Sequence, residues 1–100
     1  MGEVVVRYKV KPDRADENQR LIEGVYAELA ESAPKGFRYA TFRLDDGVSF
    51  VHVASLDADA DNPLPATRAF AEFTRDIGER CDEPPVARDA RLVGSFGFAD

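Results

Sequence analysis

The apolar residues of this chain repeat with a period of two, then of three to four, then of two in two successive runs, then of three to four again, before a last β-rich run. That order of periods constrains the fold more than any single motif. Residues 3–10 (EVVVRYKV) place Val4, Val6, Tyr8 and Val10 on one side and the more polar Val5, Arg7 and Lys9 on the other, as a strand requires. After Pro12-Asp13, the residues Asn18, Leu21, Ile22, Val25, Leu29 and Ala33 recur at steps of three and four with Glu and Arg between them, which is the buried stripe of a helix. Asp13 is expected to accept from the free amides at the helix start, Asp16 adds negative charge there, and Pro34-Lys35-Gly36 stops the helix near Ala33.

Residues 37–44 and 48–56 read as two strands joined by Asp45-Asp46-Gly47, where Gly, and less easily Asp, tolerates the positive φ of a tight hairpin. With Asp46 and Gly47 as the turn residues, Asp45 faces Val48, Arg43 faces Phe50, Thr41 faces His52 and Tyr39 faces Ala54 on one side of the sheet. Arg38, Ala40, Phe42, Leu44, Ser49, Val51 and Val53 take the other side, and a turn of different length would exchange the two. Residues 57–65 (DADADNPLP) read as a solvated loop. Ala66, Ala69, Phe70, Phe73, Ile77 and Cys81 form the stripe of a second helix, ended by Pro84-Pro85, and the last strand is expected over about residues 87–98, from Ala87 to Phe98.

In the order β-α-β-β-α-β, two helices cover one face of a four-stranded antiparallel sheet, the ferredoxin-like α+β architecture. A chain of 100 residues holds one core of this kind, so residues 1–100 are expected to form one domain. Both sheet faces carry apolar side chains, and the helices can shield only one of them. Pairing with a second copy, sheet against sheet, would bury the other, so a homodimer through the sheet face is the expected assembly.

Charge narrows the partners. With 19 acidic against 13 basic residues the formal net charge is -6, which opposes binding to a phosphate backbone, so nucleic acid is not an expected partner. The stretch from Lys35 to Phe42 (KGFRYATF) begins like an RNA-reading strand, but it lies on the second strand rather than the third, and Arg38 stands where Gly or Ala belongs. The apolar run from Val4 to Val6 is too short for a membrane span or a signal peptide, and the single cysteine, Cys81, cannot form an internal disulfide. A reducing cytoplasm, away from membranes, is the expected setting.

Asp57, Asp59 and Asp61 imitate the start of a calcium loop, yet the sixth position is Asn62 rather than Gly and the twelfth is Arg68 rather than Glu. No metal is expected. The sequence contains no phosphate loop, zinc pattern or Ser-His-Asp arrangement, and no cofactor is expected. His52 is the only histidine and falls mid-strand on the helix-side face beside Thr41 and Tyr39, where a neighbouring hydroxyl and a pKa moved by burial suit it to accept a proton. Cys81, at the end of the second stripe, reads as a small apolar filler. Arg68 and Arg75, seven apart on the second helix, share one face and would reach an acidic ligand at a pocket mouth.

Strand 1 running into Lys11-Pro12 (VVVRYKVKPDRAD), the aromatic hairpin, the Ala-Phe-x-x-Phe second helix and the closing strand together resemble the dimeric α/β-barrel superfamily, in particular its antibiotic-biosynthesis-monooxygenase-like domains. The resemblance spans nearly the whole chain. It implies a homodimer whose two sheets form a shared barrel, a ligand cleft between each sheet and its helices, and cofactor-independent oxygenation of an aromatic or polyketide-like substrate. The haem-degrading branch is similar in size but uses an Asn on strand 1, a Trp on strand 3 and a His on helix 2. The first two positions hold Val6 and Ala54 here, and the second helix has no His, which argues against haem. Taken with the one ionisable group on an otherwise apolar face, the resemblance gives the expected site: His52 as the catalytic group, taking a proton with Tyr39 or Thr41 and so promoting oxidation by O₂, and a small apolar or aromatic ligand among Tyr39, Thr41, Phe50, Arg68, Phe70 and Phe73. The contrasting expectation is a non-catalytic ligand-binding or structural homodimer, in which Phe50, Phe70 and Phe73 fill the pocket and hydrogen bonds tie up His52.

Overall fold

The computed structural model describes residues 2–97. Its strands are β1 (Gly2–Val10), β2 (Phe37–Arg43), β3 (Ser49–Leu56) and β4 (Cys81–Ala90), and its helices are α1 (Ala15–Ser32), α2 (Arg68–Arg75) and the single turn α3 (Ile77–Arg80). The sheet order is β2-β3-β1-β4, with every neighbouring pair antiparallel, so the two terminal strands lie side by side and the hairpin extends beyond β1. This is the ferredoxin-like arrangement the periodicity implied.

The hairpin register is the one read from the turn: Arg43 pairs with Phe50, Thr41 with His52 and Tyr39 with Ala54. Asp46 holds it there. Its carboxylate accepts from the Val48 and Ser49 amides at 3.0 and 2.8 Å and from the Ser49 hydroxyl at 2.5 Å, and these donors pull its pKa down to about 2. The helix-side face carries the core of Tyr8, Val10, Ala15, Ile22, Val25, Phe50, Leu64 and Phe73. Burying a side chain such as Phe50 contributes about 2 kcal/mol.

Helix α1 begins later than its sequence suggests. A 3-10 turn over Pro12–Arg14 precedes it, its backbone closed by the Arg14 amide on the Lys11 carbonyl at 2.9 Å. Asp13 is therefore not the cap of α1, and among the described residues no side chain caps its start. At the other end Ala33 takes the left-handed conformation (φ 46°) and donates to the Leu29 carbonyl. Gly36 follows with φ 74°, and a Cβ there would stand 2.7 Å from Ala60 Cβ, so only glycine fits this crossing.

The second helical region departs most from expectation. It is not one helix from Ala66 to Cys81: Asp76 (φ -122°, ψ 29°) separates α2 from the one-turn α3, and Cys81 is already extended. The Arg80 guanidinium folds back to donate to the Phe73 carbonyl at 2.5 Å, satisfying one of the acceptors that the end of α2 leaves free. At the start of α2, Thr67 accepts from the Phe70 amide at 3.2 Å, and Glu28 of α1 accepts from the Arg68 and Ala69 amides at 3.0 and 2.9 Å.

The last strand also lies earlier than expected, over Cys81–Ala90 instead of 87–98, and Phe98 falls outside the described residues. Pro84 and Pro85 do not terminate a helix; they sit inside β4. The β1–β4 register slips between Arg7 and Lys9, opposite them, so these two residues without amide hydrogens occupy a bulge on an edge strand, where no ladder bond is lost. Beyond β4, residues 91–97 follow without helix or strand. Leu92, Gly94 and Ser95 line a hollow of 630 Å³ together with Glu3, Arg38, Ala40, Val53 and Ser55 of the sheet face that carries no helices. Phe42, Leu44 and Val86 of that face are exposed, and Val93 and Phe96 of the tail are 93% and 96% exposed.

Candidate functional site

His52 lies in the middle of β3, one strand in from the edge strand β2, with its ring under the helices and only 4% exposed. Each ring nitrogen has hydroxyl partners. Nε2 lies 2.8 Å from the Tyr8 hydroxyl of β1, and Nδ1 lies 2.8 Å from the Tyr39 hydroxyl and 3.1 Å from Thr41 Oγ1, both of β2. The cross-strand register explains the convergence, because Thr41 is the direct partner of His52, Tyr39 is two residues along the same face, and Val6 with Tyr8 flanks it from β1. Phe73 of α2 covers the imidazole at 5.5 Å, and Tyr8 stacks between His52 (5.4 Å) and Phe50 (5.7 Å).

Behind Tyr8 the network continues into the core. Asn18 of α1, fully buried, donates from Nδ2 to the Tyr8 hydroxyl at 3.0 Å and accepts at Oδ1 from Arg80 Nε at 3.1 Å. Arg80 is 1% exposed, its guanidinium lies 5.5 Å from the centre of the Phe73 ring, and among the described residues no carboxylate stands within ion-pair distance of it. On the outer side Thr41 Oγ1 is 2.8 Å from the hydroxyl of Tyr26, on α1. Among the described residues, no buried side-chain polar atom lacks a hydrogen-bond partner.

A guanidinium can only donate, and that sets the polarity of the whole chain. Because Arg80 donates to Asn18 Oδ1, the Asn18 amide nitrogen faces Tyr8 and donates to its oxygen. The Tyr8 hydroxyl hydrogen then has one acceptor left, His52 Nε2. His52 consequently carries its proton on Nδ1 and donates it to the Tyr39 and Thr41 oxygens. Burial lowers the His52 pKa to about 4, and burial raises those of Tyr8, Tyr39 and Tyr26 above the ordinary phenol range. At neutral pH the four rings are uncharged, and the only formal charge in the network is that of Arg80. The site is a set of donors, ordered by a buried cation and directed outward toward β2 and α1.

Two grooves reach this outer end. One, of 310 Å³, is lined by Tyr26, Leu29, Ala30, Ala33, Pro34, Phe37 and Tyr39. The other, of 280 Å³, is lined by Gln19, Ile22, Glu23, Tyr26, Thr41, Arg43 and Phe50.

Of the residues singled out from the sequence, His52, Tyr39 and Thr41 are hydrogen-bonded together and Phe50 and Phe73 pack around them, while Phe70 touches the group through Phe73 at 6.2 Å. Arg68 does not belong to it: its exposed side chain leads α2, whose first amides Glu28 already holds. Arg75 pairs with Glu72 at 2.5 Å, and Asp57 pairs with Arg38 at 2.8 Å. Cys81 opens β4, and burial raises the pKa of its thiol, which suits a filler and not a nucleophile. Tyr8, Asn18, Tyr26 and Arg80 were not anticipated as site residues. Asn18 did carry a signal, since an amide inside an apolar helical stripe must find buried partners.

Compared by sequence, the chain matches no family model and none of the curated proteins. Compared by structure, it is similar to an antibiotic biosynthesis monooxygenase (TM-score 0.73, 18% identity, 94% of this chain and 100% of that one). It is also similar to SnoaB, a cofactor-independent oxygenase from Streptomyces nogalater (TM-score 0.68, 19% identity, 96% of both chains). A protein of unknown function from Nitrosomonas europaea matches as well (TM-score 0.69, 16% identity, 95% of this chain and 91% of that one). The chain shares its fold with these proteins.

Proposed function

From that shared fold, we propose that this protein is a homodimer that binds a small aromatic or polyketide-like molecule in its sheet–helix cleft and oxidises it with O₂ without a cofactor. The observation that carries the reading is the pair of hydroxyls of Tyr39 and Thr41, the first lining one groove and the second the other, both held from behind by His52 Nδ1–H. Direct reaction with O₂ needs an electron-rich substrate anion, and preorganised neutral donors in a water-poor site stabilise such an anion as it forms. One oxygen atom enters the substrate, which turns a ring CH₂ into C=O and supplies four electrons; the other leaves as water with the two CH₂ hydrogens, the first of which passes to solvent through the groove as the anion forms. In this reading His52 acts through Tyr39 and Thr41, donating its Nδ1 proton to their oxygens so that their own hydroxyl hydrogens are free to face the anion, while Tyr8 occupies its basic nitrogen.

Oxygen uptake with a panel of hydroxylated polycyclic aromatic ketones that carry a ring CH₂ tests this. Tyr39→Phe is expected to lower turnover by about 10²-fold, the usual effect of losing one donor to an oxyanion, and His52→Gln by a similar factor because Tyr39 and Thr41 lose the proton that orders them. Unchanged turnover in His52→Ala would remove His52 from the chemistry. One observation favours the second, non-catalytic reading: His52 is 4% exposed, with both nitrogens engaged and Phe50 and Phe73 packed nearby. Stoichiometric binding of such aromatics without oxygen uptake would select it.

The dimer has its own support in Phe42, Leu44 and Val86 on the helix-free face and in the apolar tail, surface that a chain of this size does not ordinarily leave to water. Light scattering is expected to give twice the 11.0 kDa chain mass, and Phe42→Asp to shift it to the monomer. A wild-type monomer at micromolar concentration would defeat the assembly.

A further inference from the structure

The two grooves beside the site meet at one side chain, Tyr26, which lines both. Its ring stacks on that of Tyr39 at 5.3 Å and 20°, and its hydroxyl lies 2.8 Å from Thr41 Oγ1, itself 3.1 Å from His52 Nδ1. A flat phenol is thus already docked against the donor cluster by one stack and one hydrogen bond, and that phenol belongs to the protein. Tyr26 differs from the rest of the network in how it is held. Tyr8 and His52 are 4% exposed and each has two or more hydrogen bonds, whereas Tyr26 is half-buried, has a single side-chain hydrogen bond among the described residues, and stands between grooves of 310 and 280 Å³.

We propose that Tyr26 is an internal placeholder for the ligand: it swings into one of the flanking grooves, and a planar phenolic molecule takes its place, stacking on Tyr39 and hydrogen-bonding to Thr41, which links it to His52. The inference rests on the small-molecule reading above and adds the position and orientation of the ligand. The closed form seen here is then the resting state, and the slot opens only as the two grooves join. A ligand must compete with Tyr26, so its apparent affinity is reduced by the fraction of molecules in which the side chain is out.

The test uses 2-naphthol as a flat phenol and naphthalene as the same shape without a hydroxyl, with affinity measured by calorimetry and side-chain NMR of the full chain. Wild type is expected to bind 2-naphthol with shifts of both the Tyr26 ring and the sole imidazole, His52. Tyr26→Phe, which keeps the stack and loses only the hydrogen bond, is expected to bind it about threefold more tightly, and Tyr26→Ala about tenfold. Naphthalene should bind each form more weakly than 2-naphthol. If Tyr26→Ala does not fold, the Phe variant and the wild-type shifts still decide. Binding of equal strength in wild type and variants, with the Tyr26 ring unmoved, overturns the placeholder and leaves small-molecule binding standing. A preference for naphthalene reduces the slot to an apolar cavity and overturns the phenol assignment. No binding to any form overturns both.

Discussion

Lowering the pH from 6.5 to 4 is expected to remove about 3 kcal/mol of this protein's stability through His52 alone. In the unfolded chain the imidazole titrates at its ordinary 6.5, while burial holds the folded value at about 4. Between those values the unfolded state binds a proton that the folded state refuses. The contribution is therefore complete above pH 6.5, falls as pH drops through the window, and changes no further below about 4. The Asp46 carboxyl, held at about 2, acts in the same direction but only below its ordinary 3.8, so the two windows do not overlap. Urea titrations of wild type and His52→Gln across pH 4–7.5 isolate the effect by subtraction. The variant is expected to be less stable at pH 7 and nearly flat over the range, and parallel curves for the two proteins would show that His52 is not buried as a neutral ring.

Arg80→Ala is expected to be the most damaging single substitution, costing about 3–5 kcal/mol. Two terms add. A large side chain that is 1% exposed leaves a cavity, and the Phe73 carbonyl and Asn18 Oδ1 lose their donor inside the core. Arg80→Met retains most of the volume and no donor, so its smaller loss measures the hydrogen-bond part. Lysine is not a substitute, because a point charge cannot serve both acceptors in the fork geometry. A purely structural role would end with stability. The ordering role predicts more: in a folded Arg80→Met protein, Asn18 is free to flip, and the ¹⁵N shifts of His52 should move from a single Nδ1–H form toward a mixture of tautomers. A loss under about 1 kcal/mol for Arg80→Ala, or an unchanged tautomer in Arg80→Met, would contradict the polarity argument.

Much of the fold was legible because its signals are local. Val4, Val6, Tyr8 and Val10 declare the buried side of β1 within seven residues, and Asp46-Gly47 specifies the hairpin register within the turn itself. The same locality misled at the second helix and the last strand. Pro84-Pro85 is a breaker by its own chemistry, and nothing near it in sequence reveals that it falls opposite a slip in the β1 ladder, where missing amides cost nothing. The stripe from Ala66 to Cys81 continues past Asp76 on paper, but the chain turns there as the Arg80 side chain caps α2.

The site divides along the same line. His52, Tyr39 and Thr41 were readable because they share one hairpin, and their pairing follows from its turn. Asn18 and Arg80 stand 62 positions apart and meet only when α1 packs against the end of α3, so no spacing rule could join them. By itself, then, the sequence determined the element order, the two faces of the hairpin and the place of its one histidine, all properties encoded within a few neighbouring residues. Only the tertiary structure decided that this histidine is neutral, sealed and polarised to donate, because that depends on partners from β1, α1, β2 and α3 closing around it at once.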